Sequence, residues 1–229
     1  MQILVLIPAF LLFTYCIYKL VKDDYVFIRR SISLEQMFDI TFLVIASSLV
    51  FSRLLFFILH PLAHKNIFLL FFTPRIGGLS LLGGVIGGYL SLYMIGKYKK
   101  IPFGRLFDFF TLAFVVCLPF GFLTSSLFMT GYQLFLYLFN AGVYLLLTVF
   151  FVRFIYPKLM SRELREGSLQ SIFLLFFAFF SLINVIFLQQ KGQIIFVSLE
   201  SILLLFLFLF SLFLFFKQER SKVTTRKRI

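Results

Sequence analysis

Residues 202–216 form an apolar run of isoleucine, leucine and phenylalanine broken only by Ser211. A segment like this has no polar face to turn toward water. Similar runs recur along the chain, without the apolar/polar alternation that marks the strands of a membrane barrel. In hydrocarbon every backbone amide needs an internal partner, so such runs fold as helices that cross a bilayer. Composition agrees. Of 229 residues, 61% are apolar and only 14% charged, whereas a soluble domain carries about 25% charged residues.

About 20 apolar residues cross the hydrocarbon core as a helix. That ruler predicts spans over 2–21, 36–59, 79–96, 106–129, 132–152, 168–189 and 194–216. The expected fold is therefore all-α: one bundle of seven transmembrane helices over 1–216, followed by a basic cytoplasmic tail over 217–229. The first 21 residues lack a basic start and a small-residue cleavage site, so they read as a retained span.

The basic residues set an expected orientation. One set of connections holds Lys19, Lys22, Arg29 and Arg30, then Lys97, Lys99, Lys100 and Arg105. It continues with Arg153, Lys158, Arg162 and Arg165, and ends with Lys217, Arg220, Lys222, Arg226, Lys227 and Arg228. The other set holds only Arg53, Lys65, Arg75 and Lys191. Basic residues are retained in the cytoplasm, so the N-terminus is expected outside and the C-terminus inside. The net charge of +13 then marks topology beside anionic lipid, and nucleic acid is not expected as a partner.

The chain has 37 Phe and no Trp, which leaves the interfacial aromatic belt to ten tyrosines. Cys16 and Cys117 sit in separate apolar runs, so neither a disulfide framework nor a metal site is expected. No cofactor motif is present.

Ionisable and amide groups within spans are expensive and few. Asp39 and Asp108 lie at the inner ends of the second and fourth spans, where Asp39 can hydrate and Asp108 can pair with Arg105 one turn earlier. Glu200 lies in the last span, and Asn140 and Asn184 are buried amides. Arg53 lies near the outer headgroup level, where its planar fork suits phosphate. His60 and His64 lie on the same side.

The densest motif is Arg75-Ile76-Gly77-Gly78-Leu79-Ser80-Leu81-Leu82-Gly83-Gly84-Val85-Ile86-Gly87-Gly88, with six glycines within twelve residues. Gly83 with Gly87, and Gly84 with Gly88, form small-xxx-small faces that let helices approach closely. Gly77 and Gly78 permit an irregular entry whose amides attract anions. Packing alone is the competing reading of the glycines.

At this stretch the chain resembles the bacterial prolipoprotein diacylglyceryl transferases. That family carries a signature close to G-G-[LM]-S-[FW]-H-G-G, and here Gly77 through Gly84 is similar to it. Upstream, Phe51-Ser52-Arg53-Leu54-Leu55-Phe56-Phe57 resembles the family's G-x-R-[IL]-x-Y-V segment. Downstream, Lys99-Lys100-Ile101-Pro102-Phe103 and then Asp108-Phe109 resemble its basic loop and the opening of its fourth span. Residues 167–187 and 192–204 are similar in pattern to its last two spans.

The resemblance implies seven spans in a bacterial cytoplasmic (inner) membrane. It implies transfer of diacylglyceryl from phosphatidylglycerol to a lipobox cysteine, with phospholipid and a prolipoprotein signal peptide as partners. That chemistry needs a group to take the thiol proton and cations or amides for the phosphate leaving group. The family's histidine position is Leu82 here. Its arginine and asparagine fall on Phe122 and Ser125, and its sixth-span arginine and glutamate on Ser181 and Val185.

The expected function is therefore a divergent relative without the family's chemistry that keeps a phospholipid headgroup site. That site comprises Arg53, Arg75, Gly77, Gly78, Ser80, Gly83 and Gly84, with no catalytic residue assigned. Two alternatives remain. One is an active transferase with substitute groups, in which His64 is the candidate catalytic residue beside Arg53 and Arg75. The other is a small transporter or structural membrane subunit.

Overall fold

The computed structural model describes residues 6–22, 24–30, 32–60, 79–99, 101–161, 163–189 and 199–226. Among them all regular structure is helical. In chain order the helices are α1 (Leu6–Lys22), α2 (Tyr25–Arg29), α3 (Leu34–Leu59), α4 (Leu81–Lys99), α5 (Phe103–Ser126) and α6 (Gly131–Phe150). A π-helical turn over Phe151–Ile155 follows, then α7 (Tyr156–Met160), α8 (Ser168–Gln189) and α9 (Leu199–Arg226).

Each helix of the seven-span reading has a counterpart, and among the described residues five are both long and apolar enough to cross a membrane. These are Leu34–Leu59, Phe103–Ser126, Gly131–Met160, Ser168–Val185 and Leu199–Lys217. The other two fall short for separate reasons. Helix α1 is described over 17 residues, about 25 Å at 1.5 Å per residue. Helix α4 is diluted by Gly83, Gly84, Gly87, Gly88, Tyr89, Tyr93, Lys97 and Lys99. Helix α9 runs on to Arg226, so the basic segment expected as a tail from 217 continues the last helix.

Local chemistry explains the starts. The Ser33 hydroxyl accepts the Gln36 amide at 3.2 Å to cap α3, as N-cap serines do. Pro102 precedes α5 in extended backbone. Helix α6 opens at Gly131 with φ 60° and α8 follows Gly167 with φ 93°, a region that favours glycine.

The chain divides into two compact units, Met1–Ile155 and Tyr156–Ile229. In the first, α3 packs most closely on α4, α5 packs on α6, and α1 lies against α5 and α3. Its core holds Ile17, Phe27, Met37, Ile40, Leu106, Phe109 and Ala113. In the second, α8 packs on α9. Leu169, Phe173, Leu174, Phe177 and Ala178 form a buried stripe along α8, at the spacing of one helix face.

Two devices hold the first unit in register. Asp24 accepts the amides of Val26 and Phe27 through Oδ1, at 2.9 and 3.3 Å, and so caps α2. Its other oxygen, Oδ2, accepts Nε and Nη2 of Arg105 at 3.1 and 2.6 Å. The pair is nearly dry, with side chains 3% and 11% exposed. The second device is at Pro119, inside α5. Proline has no N–H, so the carbonyl four residues earlier, on Val115, loses its helical donor. The Thr148 hydroxyl of α6 donates to that carbonyl at 2.9 Å and shares its proton with Tyr144 of its own helix.

Candidate functional site

The glycines of α4 divide into two faces with different tasks. A Cβ on Gly83 would lie 2.6 Å from the Phe51 carbonyl oxygen and 2.9 Å from Ser52 Cα, and one on Gly87 would lie 2.4 Å from Phe51 Cβ. These two glycines are the close approach between α3 and α4, and no other residue fits. A Cβ on Gly84 would meet Ser48 Oγ at 3.2 Å, and one on Gly88 would meet Ser48 Oγ and Val44 Cγ1 only at 3.9 Å. That second face is tight at Gly84 and open at Gly88.

Serines on α3 use the proximity. Ser48 donates to the Gly84 carbonyl at 2.7 Å, and Ser47 to the Gly87 carbonyl at 3.4 Å. Ser52 donates to the Ser80 carbonyl at 2.7 Å, while the Ser80 amide donates back to the Ser52 carbonyl at 3.1 Å. The Ser80 hydroxyl accepts the Gly83 amide at 3.2 Å, and the Gly84 amide donates to the Ser80 carbonyl.

The expected site residues therefore separate. The amides of Ser80, Gly83 and Gly84 already donate within the protein, so these residues seat α4 on α3 and do not offer N–H groups to an anion. Arg53 follows Ser52 on α3 and is half-buried. Arg75, Gly77, Gly78 and His64 lie outside the described residues. His60 stacks on Phe56 with ring centres 4.8 Å apart.

The positions that the resemblance assigns to chemistry are apolar or small. Leu82 is 3% exposed. Phe122 stacks face to face on Tyr144, centres 5.3 Å apart, and edge-on against Tyr137. The Ser125 carbonyl accepts the Leu127 and Phe128 amides at the end of α5. Ser181 and Val185 lie on α8, in the second unit. The Asn140 side chain donates to the Leu136 carbonyl of its own helix at 2.8 Å. Asp39 is exposed. Asp108 is wholly buried, and Arg105, the partner expected from spacing, holds Asp24 across the fold.

Beside the second glycine face lies a cavity of about 450 Å³ bounded by α1, α3, α4 and α5. That volume is within the usual range for small-molecule sites, about 300–1,000 Å³. Its walls are Phe10, Phe13, Phe110 and Phe114, aliphatic residues of α3 and α4, and Gly84 and Gly88. The hydroxyl groups in the lining are engaged, Ser48 with Gly84 and Tyr89 with Thr111 at 2.7 Å, and the Cys117 thiol also lines the cavity. Sequence reasoning found the two glycine faces but not this cavity, because its walls come from four helices distant in sequence. The only signal was Gly88, a glycine beyond those needed for one contact face.

Residues 3–217 match the family described as prolipoprotein diacylglyceryl transferase. Two curated relatives, both named phosphatidylglycerol–prolipoprotein diacylglyceryl transferase and both from Clostridium kluyveri, are each 25% identical over 81 residues. The aligned stretch covers 35% of this chain and 32% of each relative, so it spans about a third of their length. No solved structure matches the chain significantly. The match over residues 3–217 takes in every helix of the first unit and most of the second, and on that ground the chain belongs to the prolipoprotein diacylglyceryl transferase family.

Proposed function

We propose that this membrane protein binds a phosphatidylglycerol-like phospholipid but does not carry out diacylglyceryl transfer. In this reading it crosses the bacterial inner membrane seven times, with its N-terminus outside and its C-terminus in the cytoplasm. Arg53, with Arg75 and the Gly77 and Gly78 amides, receives the headgroup. Ser80, Gly83 and Gly84 serve that site indirectly by fixing α4 against α3.

The observation that carries the reading is Leu82, buried at 3% exposure where the resemblance places histidine. An isobutyl group can neither take a thiol proton nor donate to an oxyanion. Removing one stabilising donor from such a site costs about 10²–10³ in rate, and Phe122, Ser125, Ser181 and Val185 replace the other polar groups.

The test is transfer of labelled diacylglyceryl from phosphatidylglycerol to a lipobox peptide by the purified chain in nanodiscs. We expect no transfer above the protein-free control, together with retention of phosphatidylglycerol over phosphatidylcholine. Catalytic transfer would overturn the reading.

A further inference from the structure

We propose that α2 is a foot that rests in the headgroup layer of the cytoplasmic leaflet and holds anionic phospholipid there, with Tyr25 and Ile28 immersed and Arg29 on the phosphate. The inference takes from the proposed function only that the connection between α1 and α3 lies at the inner face of the membrane. It is independent of the headgroup site at Arg53.

Three observations carry it. First, α2 is pinned in place. Asp24, which caps it, is gripped by Arg105 of α5. Phe27 is 1% exposed, with its ring centre 5.6 Å from that of Phe109, and the Ile32 amide donates back to the Phe27 carbonyl at 3.1 Å. A helix so held, joining the end of α1 to the start of α3, lies at the depth of those two helix ends.

Second, its outward face combines opposites. Tyr25, Ile28 and Arg29 fall at i, i+3 and i+4, which is one side of a helix. Tyr25 is 66% and Ile28 61% exposed, and Arg29 is exposed beside them. Water would leave two large apolar bodies bare, and hydrocarbon would strand the guanidinium. The layer between suits all three. Tyrosine rings settle at headgroup level, and arginine buries its stem while its head stays among polar groups.

Third, charge selects the lipid. Residues 19–30 hold Lys19, Lys22, Arg29 and Arg30 against Asp23 and Asp24, and the Asp24 carboxylate is occupied by Arg105. Lys19, Lys22 and Arg29 are exposed. This surplus of cations complements a headgroup with net negative charge, and a guanidinium can take a phosphate through two parallel hydrogen bonds.

The chain contains no tryptophan, so Tyr25→Trp makes α2 the sole source of indole fluorescence. The full-length variant is reconstituted in vesicles of phosphatidylcholine and phosphatidylglycerol, with bromine near the top of the acyl chains of one lipid or the other. We expect both to quench the indole, with brominated phosphatidylglycerol preferred by about fivefold, the worth of one interfacial cation. Arg29→Gln should reduce that preference by about the same factor. Salt at about 1 M, which screens charges beyond about 3 Å, should reduce it too. Leu146→Trp, at an exposed position of α6, reports surrounding lipid and should show no preference.

If Tyr25→Trp does not fold, Ile28→Trp puts the probe on the same face. An indole at position 25 that neither lipid quenches would overturn the proposal, because α2 would then face water or protein. Equal quenching by both lipids would overturn it as well, as would an unchanged preference in folded Arg29→Gln. Arg53→Gln should leave the preference at α2 intact, so this site and the headgroup site of the proposed function fail separately.

Discussion

The α3–α4 pair and the α8–α9 pair are both close-packed helices, yet they are joined by different chemistry. Between α3 and α4, Gly83 and Gly87 bring backbones into contact and three serine hydroxyls cross to the opposite carbonyls. On α8 and α9 the large buried side chains are phenylalanine and leucine, beside Ala178, Val185, Ser168 and Ser171, and the buried Ser211 donates to Phe208 of its own helix. Lipid tails are as apolar as leucine, so large apolar side chains gain little by choosing protein over lipid. Close backbone approach and cross-helix hydrogen bonds are what lipid cannot imitate. The first pair is therefore specified by contacts lipid cannot make, whereas the buried stripe of α8 is mostly large and apolar.

Substitutions can break that contrast, and the largest effect belongs to Gly87→Ala. Its new Cβ would sit 2.4 Å from Phe51 Cβ, an atom that cannot yield without moving its backbone. We expect a loss of roughly 3 kcal/mol, the upper end of overpacking costs, measured by SDS-induced unfolding in mixed micelles. A stability within error of wild type would remove the basis for calling this interface specified.

In the α5–α6 pair the Thr148 hydroxyl makes such a crossing, to the Val115 carbonyl. Thr148→Val keeps the shape and strips the Val115 carbonyl of its donor, and should cost roughly 2 kcal/mol in the same assay. Ser52→Ala removes one cross-helix bond and leaves the Ser80 amide still paired. We expect roughly 1 kcal/mol, seen also as faster hydrogen exchange at Ser80. The smallest change is expected for Ser211→Ala, below about 0.6 kcal/mol, because its hydroxyl joins no second helix. If Ser211→Ala cost as much as Ser52→Ala, the two pairs would not differ in kind.

The helices themselves were readable from the sequence because an apolar run about as long as a bilayer is thick admits no other structure. Gly83 and Gly84 show where reading stopped. Both faces carry the same four-residue spacing, so the sequence announces two smooth stripes and cannot say which one meets α3. Only the register, set by Ser52 on Ser80, assigns Gly87 to contact and Gly88 to the cavity. Arg105 shows the same limit. Spacing points it to Asp108 one turn away and gives no sign of Asp24, which the fold brings from 81 residues away. Of the candidate site, Arg53, Ser80, Gly83 and Gly84 could be placed. Phe10, Phe13, Tyr89, Thr111 and Phe114 carry no motif, being ordinary apolar or hydroxyl residues whose meaning comes from convergence.

Pro119 would ordinarily make α5 a place to bend, and a transmembrane segment that bends can rock. Here the orphaned carbonyl of Val115 is taken by Thr148 on the neighbouring helix. The proline is splinted from outside: to flex there, α5 must first let go of α6. The weak point of one helix thus fastens two, and the wall of the cavity that contains Thr111, Phe114 and Cys117 stays stiff on the side where a proline would have loosened it.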